Sequence, residues 1–329
     1  MKKIIKKINQ ITDNILKTKN ISFDDAEFLS KISTEDKDFF YFLTSAGRIR
    51  QEFRGNKVNL CAIINAKSGN CSEDCKFCAQ SVHYNTDVEV YDLVESEKIV
   101  EQAKKSEKIK AERLGIVISG EKILKKQEKE KILNAVGKIQ KNSKIGVCAS
   151  LGMLSLEDLK ELKQAGLERF HHNIETSKSF FKNICTTHTY EDRVQTVLNA
   201  KKAGLGVCSG GIFGLGEDFS HRLEMAFELK ELDVDSIPLN FLCPVKGTAL
   251  ENNKPLEPRE VLKIIALFRF INPEKEIKIC AGREYALRSL ESFIFLAGAD
   301  GMMIGDYLTI KGRNPEDDYV MLKDIGMEI

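Results

Sequence analysis

The chain has 329 residues, 42% of them hydrophobic, and its 50 Lys and Arg against 49 Asp and Glu give a formal net charge of +1. That balance excludes a general polyanion or nucleic-acid binder, and the hydrophobic share excludes a disordered chain. Nine cysteines are too few and too unevenly spaced for a secreted disulfide scaffold of this length, so a cytoplasmic protein with reduced, buried or metal-bound thiols is expected.

The chain opens with Ile4, Ile5, Ile8, Ile11, Ile15 and Leu16 at helical spacing, which predicts an amphipathic helix. No cleavage site follows it, and no apolar run reaches the roughly 18 residues of a membrane span. Ser22 and Thr34 are predicted N-caps of two further helices. Residues 1–55 therefore read as an N-terminal helical extension.

From residue 59 onward, apolar runs alternate with charged amphipathic stretches: 59–66, 113–120, 144–150, 167–175, 204–212, 234–242, 276–282 and 299–305. Eight strand–helix units predict an α/β fold, a (β/α)8 TIM-type barrel over residues 56–329 with a C-terminal segment. An open doubly wound sheet is the runner-up, but no G-x-G-x-x-G opens a helix.

Side chains alternate faces along a strand, and the helix-facing side of a barrel strand is the apolar one. The bore then receives Cys61 with Asn65, Gly115 with Val117 and Ser119, and Cys148 with Ser150. It also receives His171 with Asn173 and Glu175, Cys208 with Gly206 and Gly210, Ser236 with Pro238 and Asn240, and Lys278 with Cys280. An ordinary barrel fills this space with branched aliphatics. A polar, sulfur-lined bore predicts a cavity that holds something.

The densest local signal is CSEDCKFC, which spaces Cys71, Cys75 and Cys78 as C-x3-C-x2-C. It follows the first strand, at the end of the barrel where active sites lie. Three thiolates so close can hold three corners of a cubane iron–sulfur cluster and leave one iron open. Zinc, with His83 as fourth ligand, is the competing reading.

The triplet after the first barrel strand resembles the radical S-adenosylmethionine superfamily. With NAKSGNCSEDCKFCAQS, HHNIETS, TTHTYEDR, VCSGGIFGLGE, PLNFLCPVKGT and CAGRE in order, the chain resembles its biotin synthase family from about residue 50 to the end. The resemblance implies a [4Fe–4S] cluster on Cys71, Cys75 and Cys78 that binds S-adenosyl-L-methionine and yields a 5′-deoxyadenosyl radical. It implies dethiobiotin as substrate and biotin as product, the last step of biotin biosynthesis, by a radical sulfurtransferase. The sulfur would come from an auxiliary cluster, [2Fe–2S] in the usual family pattern.

By that resemblance Phe77, Asn173, Glu175, Arg193 and Ile212 would bind the S-adenosylmethionine. Lys67, His171, Asn173 and Asn240 would bind substrate, with Lys67 on its carboxylate. Cys148, Cys208 and Arg283 match three ligands of the auxiliary cluster, Arg283 counting among the catalytic residues. The fourth family ligand is missing, because Gly115 stands where a cysteine is usual. Cys61 and Cys280 occur where the family often has serine, and are expected to complete a rearranged cluster of two or four irons. The competing reading leaves both as buried thiols. Cys243 reads as a loop thiol, Cys185 has no assigned role, and His83, His172, His188 and His221 read as structural or surface histidines.

The family further implies a flavodoxin- or ferredoxin-type electron donor, iron–sulfur assembly proteins and a homodimer, with neither nucleic acid nor membrane as partner. A related radical enzyme of the hydrogenase-maturation or pyrrolysine-pathway type and a nonenzymatic iron–sulfur carrier are the alternatives.

Overall fold

The computed structural model describes residues 2–122, 125–308 and 311–329. Its strands are β1 (Asn59–Lys67), β2 (Arg113–Ile118), β3 (Gly146–Ser150), β4 (Arg169–His171), β5 (Gly206–Cys208), β6 (Gly211–Phe213), β7 (Ser236–Phe241), β8 (Glu276–Ile279) and β9 (Gly301–Met303). All pairings between them are parallel, in the order β5-β4-β3-β2-β1-β9-β8-β7-β6. Cys208 of β5 pairs with Ser236 of β7, which closes the ring. β5 and β6 are two halves of one barrel strand, so the nine segments make eight staves. The break lies at Ser209–Gly210, where a Cβ on Gly210 would stand 2.0 Å from the Pro238 carbonyl oxygen. The expected (β/α)8 barrel is the architecture observed.

The helices are α1 (Lys2–Thr18), α2 (Phe23–Ser30), α3 (Phe39–Arg54), α4 (Ser96–Lys108), α5 (Lys126–Asn142), α6 (Leu156–Gln164) and α7 (Lys178–Phe181). They continue as α8 (Tyr190–Lys202), α9 (Phe219–Glu231), α10 (Pro258–Ile271), α11 (Arg283–Leu287), α12 (Phe293–Leu296) and α13 (Pro315–Asp324). Leu114, Ile116, Val147, Ala149, Ile237, Leu239, Ile277 and Ile279 are fully buried between strands and helices. Each full-size aliphatic among them contributes about 1.5–3 kcal/mol by leaving water.

The N-terminal helices fold onto the outside of the barrel. Ile8, Ile11 and Ile15 of α1 are buried, and Phe42 of α3 stacks on Phe270 of α10 at 5.5 Å. Arg54 at the end of α3 reaches Asp300, which Arg269 also binds at 2.5 Å. The extension is thus pinned to the base of the barrel. Ser22 caps α2 through a bond from Asp25 N–H at 3.1 Å, as predicted. Thr34 caps nothing: residues 34–38 form turns, and α3 starts after Asp38, whose N–H is taken by the Asp36 carboxylate at 2.8 Å. Among the described residues no helix is long and apolar enough to cross a membrane.

Candidate active site

The bore encloses a cavity of about 720 Å³. Its wall includes Phe77, Cys78, Asn173, Glu175, Ile212 and Asn240 toward the mouth, and Cys61, Cys148, His171, Cys208, Lys278 and Cys280 within.

The triplet sits in the loop between β1 and α4, and the loop holds itself in shape. Cys71 N–H bonds the Gln80 carbonyl at 2.9 Å, Val82 N–H bonds the Cys71 carbonyl at 2.9 Å, and Cys78 N–H bonds the Cys75 carbonyl at 2.9 Å. Cys71 lies near enough to Cys78 for its charge to raise the Cys78 pKa, and Cys78 near enough to Cys75 to raise that of Cys75. Burial pushes Cys71 up and Cys78 up to about 11, while Cys75 is pushed up because its thiol donates to Cys185. Three close thiols that are costly to ionise alone suit a polynuclear cationic cluster, which would stabilise all three thiolates together. His83 does not complete a zinc set here: its Nε2 is bound to the Ser72 carbonyl at 2.9 Å, and the ring is exposed.

Asn173, Glu175 and Ile212 form a ledge beside the triplet. Glu175 is left-handed, at φ 69°, an unusual strain for a residue with a side chain. Its N–H bonds the Gly210 carbonyl at 3.1 Å, and its carbonyl accepts from Ile212 N–H at 2.9 Å. Asn173 Oδ1 accepts from Gly210 N–H at 3.1 Å. Arg193 donates to the Asn173 carbonyl at 2.9 Å and lies 3.5 Å from the Glu175 carboxylate. It stands behind Glu175 rather than in the cavity wall, and its charge reaches all three thiols of the triplet. The glycine loop after β6 is held by Glu217, whose carboxylate accepts from Gly214 and Leu215 N–H at 3.0 and 2.8 Å.

Asn240 stands across the bore. Its Oδ1 accepts from Ala281 N–H at 3.0 Å and its amide donates to the Gly211 carbonyl at 3.1 Å. One amide N–H remains to face the cavity.

Deeper in, register brings the sulfurs together. Gly115 pairs with Cys148, Cys148 with Arg169, and His171 with Cys208. Cys61 pairs with Met303, and Ile279 with Met302, so the next step along β8 brings Cys280 level with Cys61. The hydrogen bond from Cys280 lowers Cys61 to about 6, against its burial and with help from Lys278. Burial would raise Cys208, but His171, with Nδ1 3.3 Å from its sulfur, and the nearby Lys278 and Arg169 lower it. Burial and the Cys208 charge push Cys148 up to about 12. Four thiols thus converge beside buried cations: Cys61 and Cys208 are lowered, whereas Cys148 and Cys280 are raised, Cys280 because its thiol donates to Cys61. Such a set suits an iron–sulfur cluster, which would hold all four as thiolates.

Two expected ligands lie elsewhere. Arg283 faces away from the bore and makes a double ion pair with Asp318 of α13, both contacts at 3.0 Å. The cause is Gly282: three residues past β8, at φ 83°, it turns the chain into α11, and a Cβ there would meet the Phe241 carbonyl oxygen at 2.0 Å. Lys67 pairs with Glu128 of α5 at 2.9 Å and is not part of the cavity wall. The irregularity in β1 between Asn65 and Lys67 turns it there.

The cations at the cavity floor are Lys278 and Arg169, which share Glu276 at 2.8 and 2.6 Å. Lys278 is named above among the bore residues without a role. Arg169 is missed altogether, although it alternates with His171 on one short strand. Cys185 is missed in another way. It is buried, with its sulfur 3.7 Å from that of Cys75.

Residues 66–229 match the family model of the radical SAM superfamily, and residues 238–328 match the biotin and thiamin synthesis associated domain. A biotin synthase of Geotalea daltonii is 54% identical over 285 residues, 87% of each chain. One from Geotalea uraniireducens is 50% identical over 97% of each chain, and one from Geobacter metallireducens 47% over 98% of each. Among solved structures, a methylornithine synthase superposes with a TM-score of 0.84 at 19% identity, covering 97% of this chain and 96% of its own. The [FeFe]-hydrogenase maturase of Carboxydothermus hydrogenoformans gives 0.79 at 18% identity, covering 98% of this chain and 79% of its own. These last two share the fold.

Proposed function

The chain belongs to the biotin synthase family of the radical S-adenosylmethionine superfamily, and on that premise we propose that it inserts sulfur into dethiobiotin to give biotin, with a specific division of labour among its residues. When bound, the [4Fe–4S] cluster with S-adenosylmethionine and the auxiliary cluster supply, respectively, hydrogen abstraction from unactivated carbon and the sulfur atom. Cys71, Cys75 and Cys78 hold the first cluster at the mouth. Phe77 and Ile212 flank the nucleoside, and Glu175 accepts from its ribose hydroxyls, steadied by Arg193 from behind. Asn173 and the remaining N–H of Asn240 orient the cyclic urea of the substrate, and His171 closes the pocket beneath it. The walls keep water from the reacting carbon.

Cys61, Cys148, Cys208 and Cys280 hold the auxiliary cluster. The convergence of these four thiols on one cavity, opposite the triplet, is the observation that carries the proposal. Arg169 and Lys278 offset the charge of the thiolates, and Arg283, held by Asp318 outside the bore, takes no part in ligation. A low-potential reductant of the flavodoxin or ferredoxin type, iron–sulfur assembly proteins, a homodimeric state and a cytoplasmic location complete the proposal.

Anaerobic incubation with S-adenosylmethionine, reductant and dethiobiotin tests it. Biotin formed together with 5′-deoxyadenosine is the expected result. 5′-Deoxyadenosine formed without biotin, with both clusters intact, overturns the substrate assignment. Absence of both products, with both clusters intact, favours an iron–sulfur carrier.

A further inference from the structure

Cys185 and His188 have no part in the chemistry proposed above, yet both are packed against one thiol of the triplet. They lie in the segment before α8, which is laced to the triplet loop. Lys76 N–H bonds the Ile184 carbonyl at 2.9 Å, and Thr186 N–H bonds the Asp74 carboxylate at 2.8 Å. This lacing brings the Cys185 sulfur 3.7 Å from the Cys75 sulfur and 3.4 to 3.8 Å from the two ring nitrogens of His188. One ligand atom from each of the three residues lies within 4.8 Å of the other two. Cys75 and Cys185 are buried, and His188 is nearly so.

These distances have a chemical meaning. Tetrahedral metal–sulfur bonds of about 2.3 Å separate two sulfurs by about 3.8 Å, and a metal–nitrogen bond of about 2.0 Å sets sulfur and nitrogen about 3.5 Å apart. The two sulfurs already hold that spacing, and the His188 Nε2 lies 3.8 Å from the Cys185 sulfur, a few tenths of an ångström beyond it. His188 Nδ1 is bound to the Glu73 carboxylate, the carboxylate–histidine arrangement that orients metal-binding imidazoles. Nε2 is then the ligating atom, and it exchanges the bond it accepts from Arg193 Nε at 2.9 Å for the metal.

We propose that the cluster-free chain holds a thiophilic divalent cation of the zinc class on Cys75, Cys185 and His188. Binding displaces the proton that Cys75 shares with Cys185, which goes to solvent, and moves no electrons. Two thiolates and a neutral imidazole then leave the site uncharged, and the Glu73 carboxylate remains on the imidazole N–H. Because Cys75 also belongs to the triplet, the cation and the [4Fe–4S] cluster exclude each other. This last point rests on the triplet as the cluster site.

Cobalt(II) titration of the full-length, reduced, cluster-free chain tests the proposal. With a water as the fourth ligand, one equivalent is expected to give the thiolate charge-transfer and ligand-field bands of a tetrahedral site. Cys185→Ala and His188→Gln should lose or strongly weaken those bands, while Cys71→Ala and Cys78→Ala keep them. Bands kept in Cys185→Ala and lost in Cys71→Ala or Cys78→Ala put the cation on the triplet and overturn the proposal. In a second measurement, prior zinc(II) loading should slow [4Fe–4S] reconstitution of the native chain and not that of Cys185→Ala. Equal slowing in both overturns the exclusion. A Cys71→Ala chain that still assembles the [4Fe–4S] cluster would instead sink the triplet assignment, leaving the cobalt result untouched.

Discussion

At the mouth of the barrel three thiols come from eight consecutive residues of one loop, Cys71 to Cys78; within the bore four thiols come from four separate strands, β1, β3 and β5 and the end of β8. The loop is shaped by its own backbone bonds, and the charge of Arg193 works against the upward shift of each of its three thiols. The inner set is ordered by strand register and sits among Lys278, Arg169 and His171. The inner set is part of the barrel, so its chemistry and its stability are linked.

The sharpest way to separate the two ends is to remove one thiol from each. Cys78→Ala should abolish 5′-deoxyadenosine formation completely, read by chromatography of the anaerobic reaction. Cys61→Ala and Cys280→Ala should keep that product while losing biotin, and their iron and sulfide counts and auxiliary-cluster Mössbauer spectra should change. Auxiliary spectra unchanged in both variants would return these two thiols to ordinary buried cysteines.

Next in size come the buried cations. Arg283→Met breaks the double ion pair with the fully buried Asp318 and should cost about 3–5 kcal/mol in denaturant unfolding of the cluster-free chain. Its auxiliary iron content should match the native chain, which separates a structural arginine from a ligand. Lys278→Met should give the converse, a changed auxiliary cluster together with lost stability.

The smallest effect is a pH dependence. Burial favours the neutral acid at Glu276, but Lys278 and Arg169 hold it down from 4.5 to about 2. A carboxylate depressed in the folded state stabilises above its unfolded value and loses that contribution as pH falls through its folded value. About 3 kcal/mol should therefore disappear between about pH 4.5 and 2. Urea unfolding of the cluster-free chain across that window should show it, and Glu276→Gln should flatten the slope.

The features legible in the sequence share a physical basis. The triplet is legible because its spacing is local. Cys61, Cys148, Cys208, Asn240 and Cys280 are legible because alternation along a strand fixes which face a side chain takes. Alternation fails where a strand stops being regular. The break in β1 before Lys67 sends that side chain to Glu128, and the left-handed Gly282 sends Arg283 to Asp318. Thr34 shows the same weakness at a helix start, where a five-residue turn separates the capping motif from α3. Cys185 was beyond reach because its neighbour Cys75 lies 110 positions away.

By itself the sequence determined the barrel, the cysteine triplet, the family and most of the bore-facing residues, since periodicity and local spacing are properties of the chain. Only the tertiary structure decided that Lys278 and Arg169, not Arg283, are the cations beside the inner thiols, and that Cys185 and His188 close around Cys75. Those facts depend on which strand ends bulge or turn, and on loops brought together by packing across the barrel mouth.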